Sequence, residues 1–176
     1  AQYYRDSRIS TIYEGTTGIQ AIDLVGRKVG REAGATAFVL IQEMEKLLPL
    51  LVAAGDVNLQ AFSKVLAVGL REFKRATEWV ALTFPSNQGA VNAGAVHYLK
   101  LAGTVCGGWM MGRAALVAAQ QLAAAKGGGR VDTDFLKAKI MTTRFYGDHI
   151  ITLSTGFAEA IITGAESVLQ MEEAYL

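Results

Sequence analysis

The residues best suited to chemistry lie close together near the start of the chain. The run Arg5-Asp6-Ser7-Arg8-Ile9-Ser10-Thr11-Ile12-Tyr13-Glu14-Gly15-Thr16-Thr17-Gly18-Ile19-Gln20 packs charge, hydroxyls and glycine into a short space. Within it Ile9, Ile12 and Tyr13 read as apolar anchors. Thr17 with Gln20 reads as a capping box opening a helix to about Arg31, with Ile22, Val25, Gly26 and Val29 as its buried stripe. Glu14 then stands on a tight link just ahead of a helix N-terminus, and Gly15 behind it lets a ligand approach the backbone. Free N–H groups at Thr16 to Gly18 could meet an anion such as a pyrophosphate. Two roles suit the Glu14 carboxylate: a proton acceptor facing a ligand, or a cap or ion-pair partner for Arg5 or Arg8. From spacing alone the second is the simpler.

Other polar residues read as structural. His97 and His149 fall on separate helices with no acidic or cysteine ligands at metal spacing, so no metal site is expected. Cys106, between Val105 and Gly107, suits a small buried hydrophobe better than a nucleophile. The glycine loop at 126–130 lacks the Gly-Lys-Ser/Thr ending of a phosphate loop. Arg144, Tyr146, Asp148 and His149 form a polar knot fit for an interdomain or subunit contact. Lys64, Arg71, Lys74 and Arg75 read as a solvated face.

The elements that must carry these residues are helical, since no segment sustains strand alternation. Over residues 58–84, Leu59, Phe62, Leu66, Gly69, Phe73, Ala76, Val80 and Phe84 recur at steps of three and four, and Pro85 stops the helix. A helix over about 35–54 precedes it, kinked at Pro49, and Asp56 or Asn58 caps the next one. Glycines and alanines crowd a third helix, about 90–126, where they let neighbouring helices approach. Asp132 and Thr133 cap a last helix, about 133–172, with Phe135, Ile140, Ile150, Leu153, Phe157, Ile161, Val168 and Leu169 on its apolar side. Four to five long helices with short connections predict an all-α, up-down helical bundle.

Composition narrows the classes of function. With 176 residues and 51% hydrophobic content the chain can build a core, and disordered or collagen-like classes are excluded. The net charge of +1 leaves no basic surplus for many phosphates, so nucleic acid is not an expected partner. A single cysteine excludes an intrachain disulfide framework and fits a reducing, cytoplasmic setting. Residues 101–125 are apolar enough to cross a bilayer. Arg113 at their middle and their alanine and glycine content favour a bundle helix over a membrane span. The first residues have neither a basic region nor an apolar signal core, and the chain reads as beginning inside something larger.

Arg5, Asp6, Ile9, Ile12, Tyr13, Glu14, Gly15, Thr16, Ile19 and Gln20 together resemble the C-terminal motif of the acyl-CoA dehydrogenases, over about residues 4–20. From about 35 onward the chain resembles, more loosely, the extra C-terminal helical module of a longer bacterial subgroup. Some members of that subgroup act on methylthio-substituted propionyl-CoA. The resemblance implies two parts: residues 1–33 as the end of the dehydrogenase helical domain, and 34–176 as the appended bundle. It implies FAD as cofactor, an acyl-CoA substrate, an electron-transferring flavoprotein as oxidant and a homo-oligomer. By the same carry-over Glu14 is the catalytic base for the α-proton, Gly15 lies against the thioester, Tyr13 borders the acyl pocket and Thr16 contacts the FAD. Burial against acyl chain and flavin would raise the Glu14 pKa toward roughly 6–7, while a helix N-terminus pulls it down. Where many members have Thr-x-Gln after the glycine, this chain has Thr16-Thr17-Gly18, and the flavin contact of that Gln is not expected. Two rivals share these residues: an acyl-CoA oxidase using the same Glu14, and a non-catalytic oligomerisation or docking module.

Overall fold

Asp56 begins the longest regular run of apolar stripe. Its carboxylate accepts the Asn58 and Leu59 N–H groups at 2.8 and 3.2 Å, starting α5 at Val57–Thr83. The computed structural model describes residues 2–11, 15–125 and 132–175. On α5 the expected stripe is the core: Leu59, Phe62, Leu66, Phe73, Ala76 and Val80 are buried. Around it the described residues are helical and contain no strand.

Before α5 come α1 (Gln2–Ser7) with a 3-10 turn Arg8–Thr11, α2 (Thr17–Asp23) continuing as a π-helix Leu24–Gly30, α3 (Ala35–Glu45) and α4 (Leu47–Ala53). The kink expected at Pro49 falls three residues earlier, at Lys46. Pro49 has no N–H for the Glu45 carbonyl and its ring crowds that group, so the ladder ends at Glu45 and restarts with proline inside the first turn of α4. Between the π-helix and α3 the chain reverses through left-handed residues, Ala33 at φ 48° and Gly34 at φ 79°. A Cβ on Gly34 would also press on Phe38 at 2.7 Å, so both conformation and space call for glycine there.

The helix expected over 90–126 is two: α6 (Gln88–Ala93), capped by Asn87, and α7 (Ala95–Ala125). They part at Gly94, whose missing side chain lets the α6–α7 junction lie against the backbone of Ile161. By length and composition alone α7 could cross a membrane, with a third of its most apolar window buried. Here it packs against α2, α4 and α5.

The single helix expected over 133–172 is corrected. The chain forms α8 (Thr133–His149), a 3-10 turn Ile151–Leu153, α9 (Ser154–Thr163) and α10 (Ala165–Leu169). Asp132 caps α8 as expected, accepting the Phe135 N–H at 3.0 Å. The break follows from Ile151, which is buried where Gly69 and Gly108 leave room. A Cβ on either would lie 2.8 or 2.6 Å from its side chain. Seating Ile151 there shifts the register by one, so Leu153 turns outward, and Phe135, Val168 and Leu169 are exposed as well. Tertiary packing overrides the helical period. α8 and α9 both pack on α5 and α7, closing an all-α bundle around one core.

The segment before residue 33 shares that core. Ala21, Val25 and Val29 are buried in the same cluster as Phe62, Leu66 and Tyr98. In the expected stripe Ala21 therefore replaces Ile22, which is exposed. The π-helix, stacked on α5, α6 and α7, fixes this stretch to the bundle.

Candidate functional site

The motif segment is anchored from its C-terminal side. Thr16 is the N-cap of α2: its backbone is extended at φ −59°, ψ 141°, and its hydroxyl accepts the Ile19 N–H at 3.4 Å. Its carbonyl accepts the Gln20 N–H at 3.0 Å. The cap therefore lies one residue before the expected Thr17, because Thr17 is already helical. One helical turn further on, Ala21 is fully buried, so the core holds the start of α2 in place.

Gly15 and Thr16 are both exposed at this helix start. The Gln20 side chain folds back over Gly15, where its amide occupies the space a Cβ would take. A Cβ on Gly18 would meet nothing within 4 Å, so the residue at which this chain departs from the family motif borders open space. Glu14 and Tyr13, the expected base and pocket residue, lie outside the described residues, as do Ile12 and the 126–130 loop.

Upstream, α1 and its 3-10 turn are held by local bonds. Gln2 donates to Asp6 at 2.7 Å, Arg5 donates to Gln2 at 3.1 Å, and Arg8 donates to the Tyr4 hydroxyl at 3.2 Å. Ile9, expected as an anchor, is 60% exposed, because the described helices put no apolar surface over it.

Thr16 fits a flavin contact in donor chemistry. Its hydroxyl accepts in the cap and keeps its own hydrogen to donate outward, in a position open to an incoming group. Among the described residues no cluster of three or more potential metal ligands comes together.

The remaining polar residues divide differently from their sequence grouping. The Arg144–Asp148 ion pair closes at 2.7 Å on the α8 surface, while the Tyr146 hydroxyl donates to the Thr104 carbonyl of α7 at 3.1 Å. His149 leans on the Phe145 ring at 4.5 Å. Arg71 and Arg75 are not simply solvated. They converge on Glu72, which is only 4% exposed, at 2.9 and 2.8 Å, and Arg75 also reaches Glu159 of α9 at 2.6 Å. Glu72 is the buried charge that sequence reading missed. Arg75, three residues on and so on the same helix face, is the signal the sequence offers.

Cys106 is half-buried, and burial pushes its thiol up from the usual range, against a role as nucleophile. Tyr98, missed as a polar core residue, shares a 2.8 Å hydrogen bond with Thr77. Burial, opposed by that bond and helped slightly by Cys106, holds its phenol up to about 12.

The family model described as "Acetyl-CoA dehydrogenase C-terminal like" matches residues 40–172. Among curated relatives, the 3-methylmercaptopropionyl-CoA dehydrogenase of Ruegeria pomeroyi is 36% identical over 169 residues, covering 96% of this chain and 28% of the relative. The broad-specificity linear acyl-CoA dehydrogenase FadE5 of Mycobacterium tuberculosis is 28% identical, covering 98% of this chain and 29% of the relative. The butyryl-CoA dehydrogenase of Syntrophomonas wolfei is 29% identical over 185 residues, again 28% of its length. The chain thus spans less than a third of the length of the relatives it matches.

Proposed function

Because this chain belongs to the acetyl-CoA dehydrogenase C-terminal-like family, we infer that it serves as the C-terminal part of a flavin-dependent acyl-CoA dehydrogenase. In this reading the whole polypeptide converts an acyl-CoA thioester to a trans-2-enoyl-CoA. Residues 1–33 complete the dehydrogenase helical domain, and 34–176 are the appended bundle. The Glu14 carboxylate takes the α-proton and holds it on an oxygen. Gly15 leaves room for the thioester, Tyr13 borders the acyl chain, and the Thr16 hydroxyl donates to the flavin. FAD held by the whole polypeptide would supply the hydride acceptor for the β-carbon, and an electron-transferring flavoprotein would be its oxidant.

The observation that carries the reading is the placement of Gly15 and Thr16. Both are exposed and lie one turn from the buried Ala21, which supports a surface site anchored to a rigid core, and the Gln20 side chain that lies over Gly15 must swing aside for a ligand to reach it. A base must be held within hydrogen-bond reach of the proton it abstracts, and the core-anchored cap at Thr16, two residues on in the sequence, supports that role for Glu14. The 176-residue piece alone is inactive in this reading, since the flavin and thioester contacts belong mostly to the rest of the polypeptide. The compartment is cytoplasmic, and α7 serves as a bundle helix.

The test is the full-length chain with Glu14→Gln, which keeps size and removes the basic site. Acyl-CoA-driven bleaching of the flavin should slow by roughly 10²–10⁴-fold while thioester binding persists. Unchanged bleaching would retire Glu14 as the base, and peroxide formed in place of electron transfer would favour an oxidase. A homo-oligomer is also proposed. It is supported by exposed Met110 and Val117 on α7 and Phe145 on α8. Sedimentation of a strict monomer at high concentration would count against it.

A further inference from the structure

We propose that the half-open cavity between the π-helix, α3, α5 and α7 is a binding site for a short aliphatic carboxylate, separate from the dehydrogenation site. Its volume is about 270 Å³, and Leu24, Val29, Leu40, Phe73 and Tyr98 supply its walls. The geometry of the π-helix creates it. With bonds from i to i+5, Leu24 and Val29 face the same way, and Lys28 stands beside them at the mouth.

Of the polar groups lining this space, the Tyr98 and Thr36 hydroxyls are engaged, while the Lys28 ammonium and the Cys106 thiol are not hydrogen-bonded among the described residues. The Tyr98 hydroxyl is bonded to Thr77 at 2.8 Å, and the Thr36 hydroxyl donates to Glu32 at 2.5 Å. Asp23, the nearest acid on the same helical run, is paired with Arg27 through two bonds. Among the described residues no carboxylate closes an ion pair on the Lys28 ammonium, whose charge adds at longer range to the Arg27 hydrogen bonds that lower the Asp23 pKa. The site therefore combines hydrocarbon walls with a single cation at the rim. That pairing favours a monoanion with an apolar tail over an amine of the same length, because the Glu32 carboxylate at the edge is already taken up by Thr36 while the Lys28 ammonium has no ion-pair partner. The volume lies just under the usual range for ligand pockets of about 300–1,000 Å³, so the tail is short.

This site does not depend on the role of Glu14, and its test reads binding rather than turnover. Octanoate, hexanoate and butanoate are titrated by calorimetry into the full-length chain, with octylammonium as the charge-reversed control. One carboxylate site is expected, its affinity rising roughly fourfold per methylene until the cavity is full. Lys28→Gln, a surface change, should weaken octanoate at this site about tenfold or more while leaving flavin reduction untouched. Leu40→Trp, filling the rim, should abolish the site without altering the fold's circular dichroism. Equal binding of octanoate and octylammonium, or octanoate binding unchanged in Lys28→Gln, would overturn the proposal.

Discussion

Gly94 and Gly103 lie nine residues apart on the α6–α7 run, and replacing each by alanine should move stability in opposite directions. A Cβ at Gly94 would sit 3.1 Å from the Ile161 Cα and 3.3 Å from its carbonyl oxygen. These are backbone atoms of α9 and cannot rotate aside, so the two helices must separate. Overpacking of this kind costs about 1–3 kcal/mol. At Gly103 a Cβ would meet nothing within 4 Å, and the residue is exposed inside a 31-residue helix. There alanine gains about 1 kcal/mol by narrowing the unfolded ensemble and favouring the helix. Since roughly 1 kcal/mol moves Tm by 2–4 °C at this size, Gly103→Ala should melt a few degrees higher than the parent and Gly94→Ala a few degrees lower. Thermal unfolding of the 176-residue chain, followed by helical circular dichroism, reads both. Two variants shifting the same way would refute the assignment of Gly94 as a contact point and Gly103 as an open one.

Two further outcomes follow from buried polar groups. The Tyr98 phenol is held neutral in the fold up to about 12, against 10.0 for the free side chain. Its contribution is therefore intact below pH 10 and lost as pH rises to about 12, amounting to about 3 kcal/mol. Tyr98→Phe should flatten the alkaline decline in urea stability while costing about 1 kcal/mol at neutral pH for the lost Thr77 bond, and an unchanged decline would count against it. Glu72→Ala should cost about 1–2 kcal/mol, because the charge-assisted bonds from Arg71 and Arg75 to a buried acceptor are lost while Arg75 keeps Glu159 and both arginines stay solvated. Glu159→Ala, at the half-exposed end of the same network, should cost under about 1 kcal/mol, and equal losses in urea unfolding would refute this ranking.

Local signals in the sequence are enough to place α5 and its stripe and to narrow the caps to Asp56 or Asn58 and to Asp132 or Thr133, because each depends on a few adjacent residues. The stretch after residue 149 was not legible in the same way. Ile150 and Leu153 satisfy the helical period, but the space for a side chain exists at Ile151, between glycines that come from α5 and α7. Neither partner is local. The cap of α2 was misplaced by one for a related reason, since Thr16 and Thr17 are chemically alike and only backbone conformation separates them. Glu72 looked like one more charge on a wet face until α9 brought Glu159 against Arg75. In the motif, residue identity pointed to the chemistry. What it could not supply was the fastening of Gly15 and Thr16 to the bundle through Ala21, Val25 and Val29.

That fastening imposes an order on biosynthesis. α2 and the π-helix dock on a surface to which Tyr98 of α7 belongs, about 75 residues further along the polypeptide. While the ribosome is still adding those residues, Ala21, Val25 and Val29 have no complete surface to settle on. The motif segment therefore stays loose until α7 clears the exit tunnel. A truncation within α7 would thus disturb Gly15 and Thr16 as surely as a change beside them.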